Sequence, residues 1–177
     1  MMKELLKLAR ETIESYFSRK ELKISDEIKK KYSDKKACFV TLTKNNQLRG
    51  CIGSLQPKQE LYKDVIDNAH NAAFQDPRFS PLEKSELEKI KIEISVLSIP
   101  KKMIFKDSND LLNKLTKKEG VIIKKGFYSA TYLPQVWKEV NGKEEFLSSL
   151  CVKAGLNEDA WKDKIEVFTY HVEIVKE

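Results

Sequence analysis

The stretch Ile90-Lys91-Ile92-Glu93-Ile94-Ser95-Val96-Leu97 decides the fold class. Ile90, Ile92, Ile94 and Val96 recur with period two, and Lys91, Glu93 and Ser95 fill the alternate places. Side chains of an extended chain alternate between its two sides, so this segment is a strand with one apolar face. Such a face belongs under helices. Two candidates lie upstream. Residues 2–17 bring Leu5, Ala9, Ile13 and Tyr16/Phe17 round at helical spacing with charges between them. Residues 58–75 do the same with Leu61, Val65, Ala69, Ala72 and Ala73, whose small side chains suit close packing, and Asp76-Pro77 ends that helix. A short helix over residues 25–31 is capped by Ser25. Residues 37–43 and 48–55 form a hairpin across the turn Lys44-Asn45-Asn46-Gln47. The expected fold is α+β, a mainly antiparallel sheet flanked by helices.

Downstream the rhythm changes between Pro100 and Pro134. The spacing predicts a strand at 103–105, a helix at 107–117 and a hairpin at 121–133 around Gly126. This reads as a smaller inserted α/β lobe over residues 100–134, with residues 1–99 and 135–177 forming the larger lobe. A helix at 144–154 carries Phe146, Leu147, Leu150, Cys151 and Ala154 as its apolar stripe, and Gly155 terminates it. One last strand, 165–175, puts Phe168, Tyr170, Val172 and Ile174 on one face and His171 and Glu173 on the other.

Composition narrows the class. The chain has 177 residues, 41% hydrophobic and 34% charged, enough to bury a core. No stretch is long and apolar enough for a membrane span. Glu4, Arg10, Glu11 and Glu14 interrupt the first apolar residues, unlike a secretion signal, so the default expectation is a cytoplasmic protein with no membrane partner. Three cysteines without a C-x-x-C pair are expected as reduced thiols. The net charge is +6, yet of 33 basic residues only Arg10, Arg19, Arg49 and Arg78 are arginine. Lysine is the general surface cation here, and pI alone argues little for a nucleic-acid partner. An arginine in such a chain marks a need for a planar, two-pronged donor.

Two of those arginines stand in the segments with most chemistry. Leu48-Arg49-Gly50-Cys51-Ile52-Gly53 sets a guanidinium two residues from a thiol. On a regular strand the two share a face, and the cation would favour the reactive thiolate. Gly50 and Gly53 remove side chains where backbone or ligand approaches closely. An ordinary core strand with a buried cysteine explains the same residues. Asp76-Pro77-Arg78-Phe79 either builds a turn or presents Arg78 as an anion receptor. A base for Cys51 would have to be His70 or His171, and Glu173 stands two places beyond His171. A zinc site would need Cys38, Cys51, His70 and His171 to converge from separate elements, so no metal or other cofactor is expected.

The hexapeptide at 48–53 with Asp76-Pro77-Arg78-Phe79 resembles the AMMECR domain family. The similarity spans nearly the whole chain: Phe39-Val40-Thr41-Leu42, Ala72-Ala73, Glu93-Ile94-Ser95-Val96-Leu97, Leu133-Pro134-Gln135-Val136, Glu145-Phe146-Leu147 and Lys153-Ala154-Gly155-Leu156. Tyr132-Leu133-Pro134-Gln135-Val136-Trp137 is similar to the bacterial branch called AmmeMemoRadiSam system protein A. The resemblance implies an α+β fold of two lobes with the hexapeptide near a cleft, and a place beside a Memo-type protein and a radical-SAM enzyme. It implies no reaction. Many members carry histidine before the glycine matching Gly120, where this chain has Glu119.

Two functions follow. In one, Arg49, Gly50, Cys51, Gly53, Asp76, Arg78, Glu93 and His171 shape a binding surface for those partners or a small anionic ligand. In the other, Cys51 is an Arg49-assisted nucleophile, with Glu93 or Glu173 carrying protons. No complete acid–base set can be assembled from the sequence, which favours the first. Nucleic-acid binding through the lysine-rich surface is a weaker third.

Overall fold

The structure, a computed structural model, describes residues 2–177 and divides into two units. The first unit holds the residues up to Leu97 together with Glu173–Glu177. Its helices are α1 (Lys3–Ser18), α2 (Asp26–Lys31) and α3 (Leu61–Phe74), and its strands are β1 (Cys38–Lys44), β2 (Gln47–Gly53), β3 (Ile90–Leu97) and, at the end of the chain, all but the first residue of β8 (Val172–Lys176). They form a sheet in the order β2-β1-β3-β8. Alternation works as the sequence predicts. Val40 and Leu42 of β1 and Ile92 and Ile94 of β3 are fully buried in one core with Leu5, Ala9 and Ile13 of α1 and Val65, Ala69 and Ala72 of α3. Burying each of these larger aliphatic side chains contributes about 2 kcal/mol.

The second unit spans Ser98–Val172. It contains β4 (Lys101–Met103), α4 (Ser108–Lys114), β5 (Gly120–Lys125), β6 (Tyr128–Tyr132), α5 (Lys143–Lys153) and β7 (Glu166–Tyr170). The strand order is β4-β7-β5-β6, and all three pairings are antiparallel. Phe146, Leu147, Leu150 and Cys151 of α5 share a core with Val121, Ile123 and Val167 of the sheet. Gly126 at φ 60° turns the β5–β6 hairpin, and Gly155 at φ 81° lies just beyond α5, both in the left-handed region glycine adopts freely.

Two expectations need correction. The second unit is larger than residues 100–134, because β7 pairs with β5 and α5 closes the core beneath them, which draws residues 135–172 into it. The last strand is in fact two. At His171 the chain leaves one sheet for the other, held there by paired bonds to Ser98: the His171 amide donates to Ser98 Oγ at 2.9 Å and the Ser98 amide donates to the His171 carbonyl at 2.9 Å. Among the described residues no helix is long and apolar enough to cross a membrane.

Candidate functional site

The hexapeptide Leu48–Gly53 lies on β2, the outer strand of the first sheet. Its register against β1 pairs Thr41 with Cys51, Leu42 with Gly50, and then Thr43 with Leu48. Arg49 is skipped. It is the extra residue of a β-bulge, which interrupts alternation and re-aims a side chain. Gly50 allows the close approach of α3, since a Cβ there would collide with the Ala72 carbonyl oxygen. At Gly53 a Cβ would strike the Phe39 ring. Both glycines are therefore packing requirements of this strand.

The bulge turns Arg49 toward the segment that precedes β3. Its Nε donates to Glu86 Oε1 at 3.0 Å, Nη2 to Glu86 Oε2 at 2.8 Å and Nη1 to the Ser80 carbonyl at 3.0 Å. Glu86 also accepts from Lys44 Nζ at 2.8 Å and from the Glu83 amide at 3.0 Å. The Arg49 fork, with the Glu83 amide and Lys44 adding to it, holds the Glu86 carboxyl down at about 2 in spite of burial. The guanidinium expected beside the thiol is thus neutralised by an internal carboxylate. No hydrogen bond or ion pair links it to Cys51 Sγ among the described residues.

Cys51 is fixed from two sides. Its thiol lies 3.3 Å from Thr41 Oγ1. On the outer edge of β2, where no further strand pairs, its amide donates to Asp76 Oδ2 at 2.9 Å and its carbonyl accepts from Arg78 Nη2 at 3.1 Å. Asp76 and Arg78 are joined by Nε to Oδ1 at 3.0 Å and Nη2 to Oδ2 at 2.7 Å. One carboxylate and one guanidinium thus satisfy the edge as a neighbouring residue of a strand would. The Arg78 fork, with the amides of Cys51 and Arg78 adding to it, holds the Asp76 carboxyl well below the usual carboxylate range although burial opposes this. Asp64, in the first turn of α3, also accepts from the β1–β2 region at the other end of that helix, from the Cys38 amide at 2.9 Å and from Ser54 Oγ at 2.6 Å. Two buried aspartates thereby fasten α3 to the hairpin.

Cys51, Thr41 and Glu93 stand in one cross-strand row. The alternation puts this row on the sheet face opposite α1 and α3, and all three residues are half-buried. Of the three cysteines, Cys51 alone is not fully enclosed: Cys38 and Cys151 are buried, and burial pushes both thiols up. Of the expected site residues, hydrogen bonds unite Cys51, Asp76 and Arg78, and register adds Glu93. His171 belongs to the second unit, where its Nε2 is 3.9 Å from Glu119 Oε1. His70 packs edge-on with Tyr16 in an aromatic cluster with Phe74. Among the described residues no group of three or more His, Cys, Asp or Glu side chains is arranged to hold a metal ion.

A sequence model of AMMECR1 matches residues 6–175 of the chain. The chain belongs to the AMMECR1 family. It is 44% identical to Protein NEQ441 of Nanoarchaeum equitans over 98% of both sequences. It is 40% identical to Protein Mbar_A1807 of Methanosarcina barkeri, over 97% of this chain and 88% of that one. The crystal structure of the uncharacterized protein PH0010 from Pyrococcus horikoshii has the same α+β fold, with a TM-score of 0.85 and 35% identity over 98% of this chain and 89% of that one.

In this AMMECR1 chain the sequence reading missed Glu86 and Thr41. Thr41 had a signal, since alternation in β1 puts it opposite the buried stripe of Val40 and Leu42. Glu86 had none, because its partner Arg49 is 37 residues away and reaches it only through the bulge.

Proposed function

We propose that the protein is an accessory, binding component that works with a Memo-type protein and a radical-SAM enzyme as the protein A member of an AmmeMemoRadiSam system. Its contact surface is the sheet face around Cys51, Thr41 and Glu93. One observation carries this reading: both cations of the signature motifs are spent on internal carboxylates, Arg49 on Glu86 and Arg78 on Asp76. A motif whose charges are consumed in this way holds a surface in shape, and the half-buried thiol has a hydroxyl beside it rather than a base. Co-purification of the tagged chain with its Memo-type and radical-SAM gene neighbours tests the reading. Recovery of at least one neighbour supports it, and recovery of neither from cells that express both refutes it.

A thiol-dependent enzyme is the second reading, favoured by the accessibility of Cys51 relative to Cys38 and Cys151. Its test is the pH dependence of Cys51 alkylation. A rate already saturated well below the ordinary thiol range near 8.5 supports an activated nucleophile; a slow rate still rising there counts against it.

A further inference from the structure

The lysines that composition assigns to general surface charge converge at one place in the second unit. A hollow of about 780 Å³ is lined by Lys102, Lys106, Lys124, Lys125, Lys162 and Lys164. Lys102 pairs with Glu166, Lys125 with Asp163 at 3.5 Å and Lys162 with Asp159 at 2.6 Å. Lys106, Lys124 and Lys164 are exposed and are in no ion pair among the described residues, although Lys124 lies over the Phe168 ring at 5.1 Å and faces Glu166 across the sheet. Asp107 also lines the hollow, which leaves six lysines against three carboxylates there. Lys106, Lys124 and Lys164 approach the hollow from three separate elements: the segment after β4, the end of β5 and the segment before β7. Beside it, the β5–β6 turn carries Phe127 fully into solvent. The turn needs Gly126 for its positive φ, but nothing in its geometry needs a phenylalanine.

We propose that this hollow binds single-stranded nucleic acid through its phosphates, without sequence preference, and that Phe127 is a stacking platform for a base at its rim. The site is independent of the reading of Cys51. Charge complementarity selects a polyanion. Lysines without arginine supply mobile point charges suited to a phosphate chain of any sequence, rather than the forked geometry of a specific carboxylate or base edge. A basic groove with an adjoining exposed aromatic is the arrangement by which single strands are held, phosphates in the groove and bases on the ring. A lipid surface would instead meet lysines on a convex face, and here they line a hollow.

The test is fluorescence anisotropy of a labelled oligodeoxythymidine with the full chain across a salt series. Three phosphate contacts give a slope of log affinity against log salt of about −2. The variant Lys106→Gln/Lys124→Gln/Lys164→Gln flattens the slope toward zero and weakens binding at low salt at least about ten-fold. Phe127→Ala weakens binding about ten-fold and leaves the slope unchanged. A control with the same change in net charge, Lys20→Gln/Lys23→Gln/Lys30→Gln in the first unit, leaves both unchanged. All substituted positions are exposed, so unfolding midpoints confirm that each variant is folded. The proposal is overturned if the wild-type chain shows no saturable binding or if the two triple variants behave alike. It is equally overturned if phosphatidylglycerol vesicles or polyglutamate bind at the hollow more tightly than the oligonucleotide.

Discussion

Replacing Glu86 with glutamine keeps the shape of the side chain and removes its charge, which isolates what the Arg49 network contributes. Four donors converge on this carboxylate: Arg49 Nε and Lys44 Nζ on Oε1, and Arg49 Nη2 and the Glu83 amide on Oε2. Glutamine presents a donor at one of those ends, so two of the four bonds are lost whichever way the amide turns. Arg49 and Glu86 side chains are 14% and 10% exposed, and breaking a buried pair by removing one partner costs about 3–5 kcal/mol. The low end applies, because Lys44 at 34% exposed regains water. Linkage leads to the same place: lowering the carboxyl from 4.5 to about 2 corresponds to about 3 kcal/mol. At about 2–4 °C per kcal/mol for a chain of this size, Glu86→Gln should lower the melting temperature by about 6–12 °C at pH 7. Urea and thermal unfolding followed by circular dichroism measure this, and a double-mutant cycle with Arg49→Met isolates the pair. A loss below about 1 kcal/mol, or a coupling energy near zero, would refute the assignment of Arg49 as a structural fork.

Further expectations concern acid, packing and thiol access. Glu86 and Asp76 both have lowered folded-state values, so their stabilisation is complete above the ordinary carboxylate range and is lost as pH falls; unfolding free energy should be flat from pH 7 to about 5 and decline between about 4.5 and 2, less steeply in Glu86→Gln. Gly50→Ala puts a Cβ into the Ala72 carbonyl and should cost at least about 2 kcal/mol, whereas Gly126→Ala, with open space but φ 60°, should cost about 1 kcal/mol. Asp76→Asn should speed hydrogen exchange of the Cys51 amide, which donates to that carboxylate, and a protection factor equal to wild type would contradict the edge-capping role. Native-state iodoacetamide labelling read by mass spectrometry should modify Cys51 alone, with Cys38 and Cys151 reacting only on unfolding.

The fold was legible where one local pattern meets one structural role. Ile90–Leu97 alternates without interruption and becomes β3, and the apolar stripes of α3 and α5 lie in the two cores, as do Leu5, Ala9 and Ile13 of α1, whereas Tyr16 is exposed. Patterns failed where geometry changes without a change of rhythm. From Phe168 to Ile174 the alternation runs straight through His171, so nothing marks the crossing from one sheet to another, a long-range event fixed by Ser98. The bulge at Arg49 is the instructive case for the site. Period two puts Arg49 beside Cys51, and the single extra residue instead sends it to Glu86. Gly50 was the available clue, since glycine inside a strand often marks a bulge or a close approach. The scarcity of arginine marks a forked donor at three of the four positions, while Arg19 is exposed and makes no hydrogen bond or ion pair among the described residues. The three targets are inside the molecule: Glu177 for Arg10, Glu86 for Arg49 and Asp76 for Arg78.

Whether β2 is a surface or a reaction centre can be decided by complementation. A strain lacking this gene, supplied with Cys51→Ser and assayed together with co-purification of the Memo-type and radical-SAM partners proposed above, separates the two. Serine keeps the strand, the Asp76 and Arg78 bonds to the backbone of residue 51, and a partner for Thr41. The account predicts wild-type growth and undiminished recovery of the partners. A folded Cys51→Ser protein that fails to complement while still recovering those partners would contradict it and make Cys51 a nucleophile.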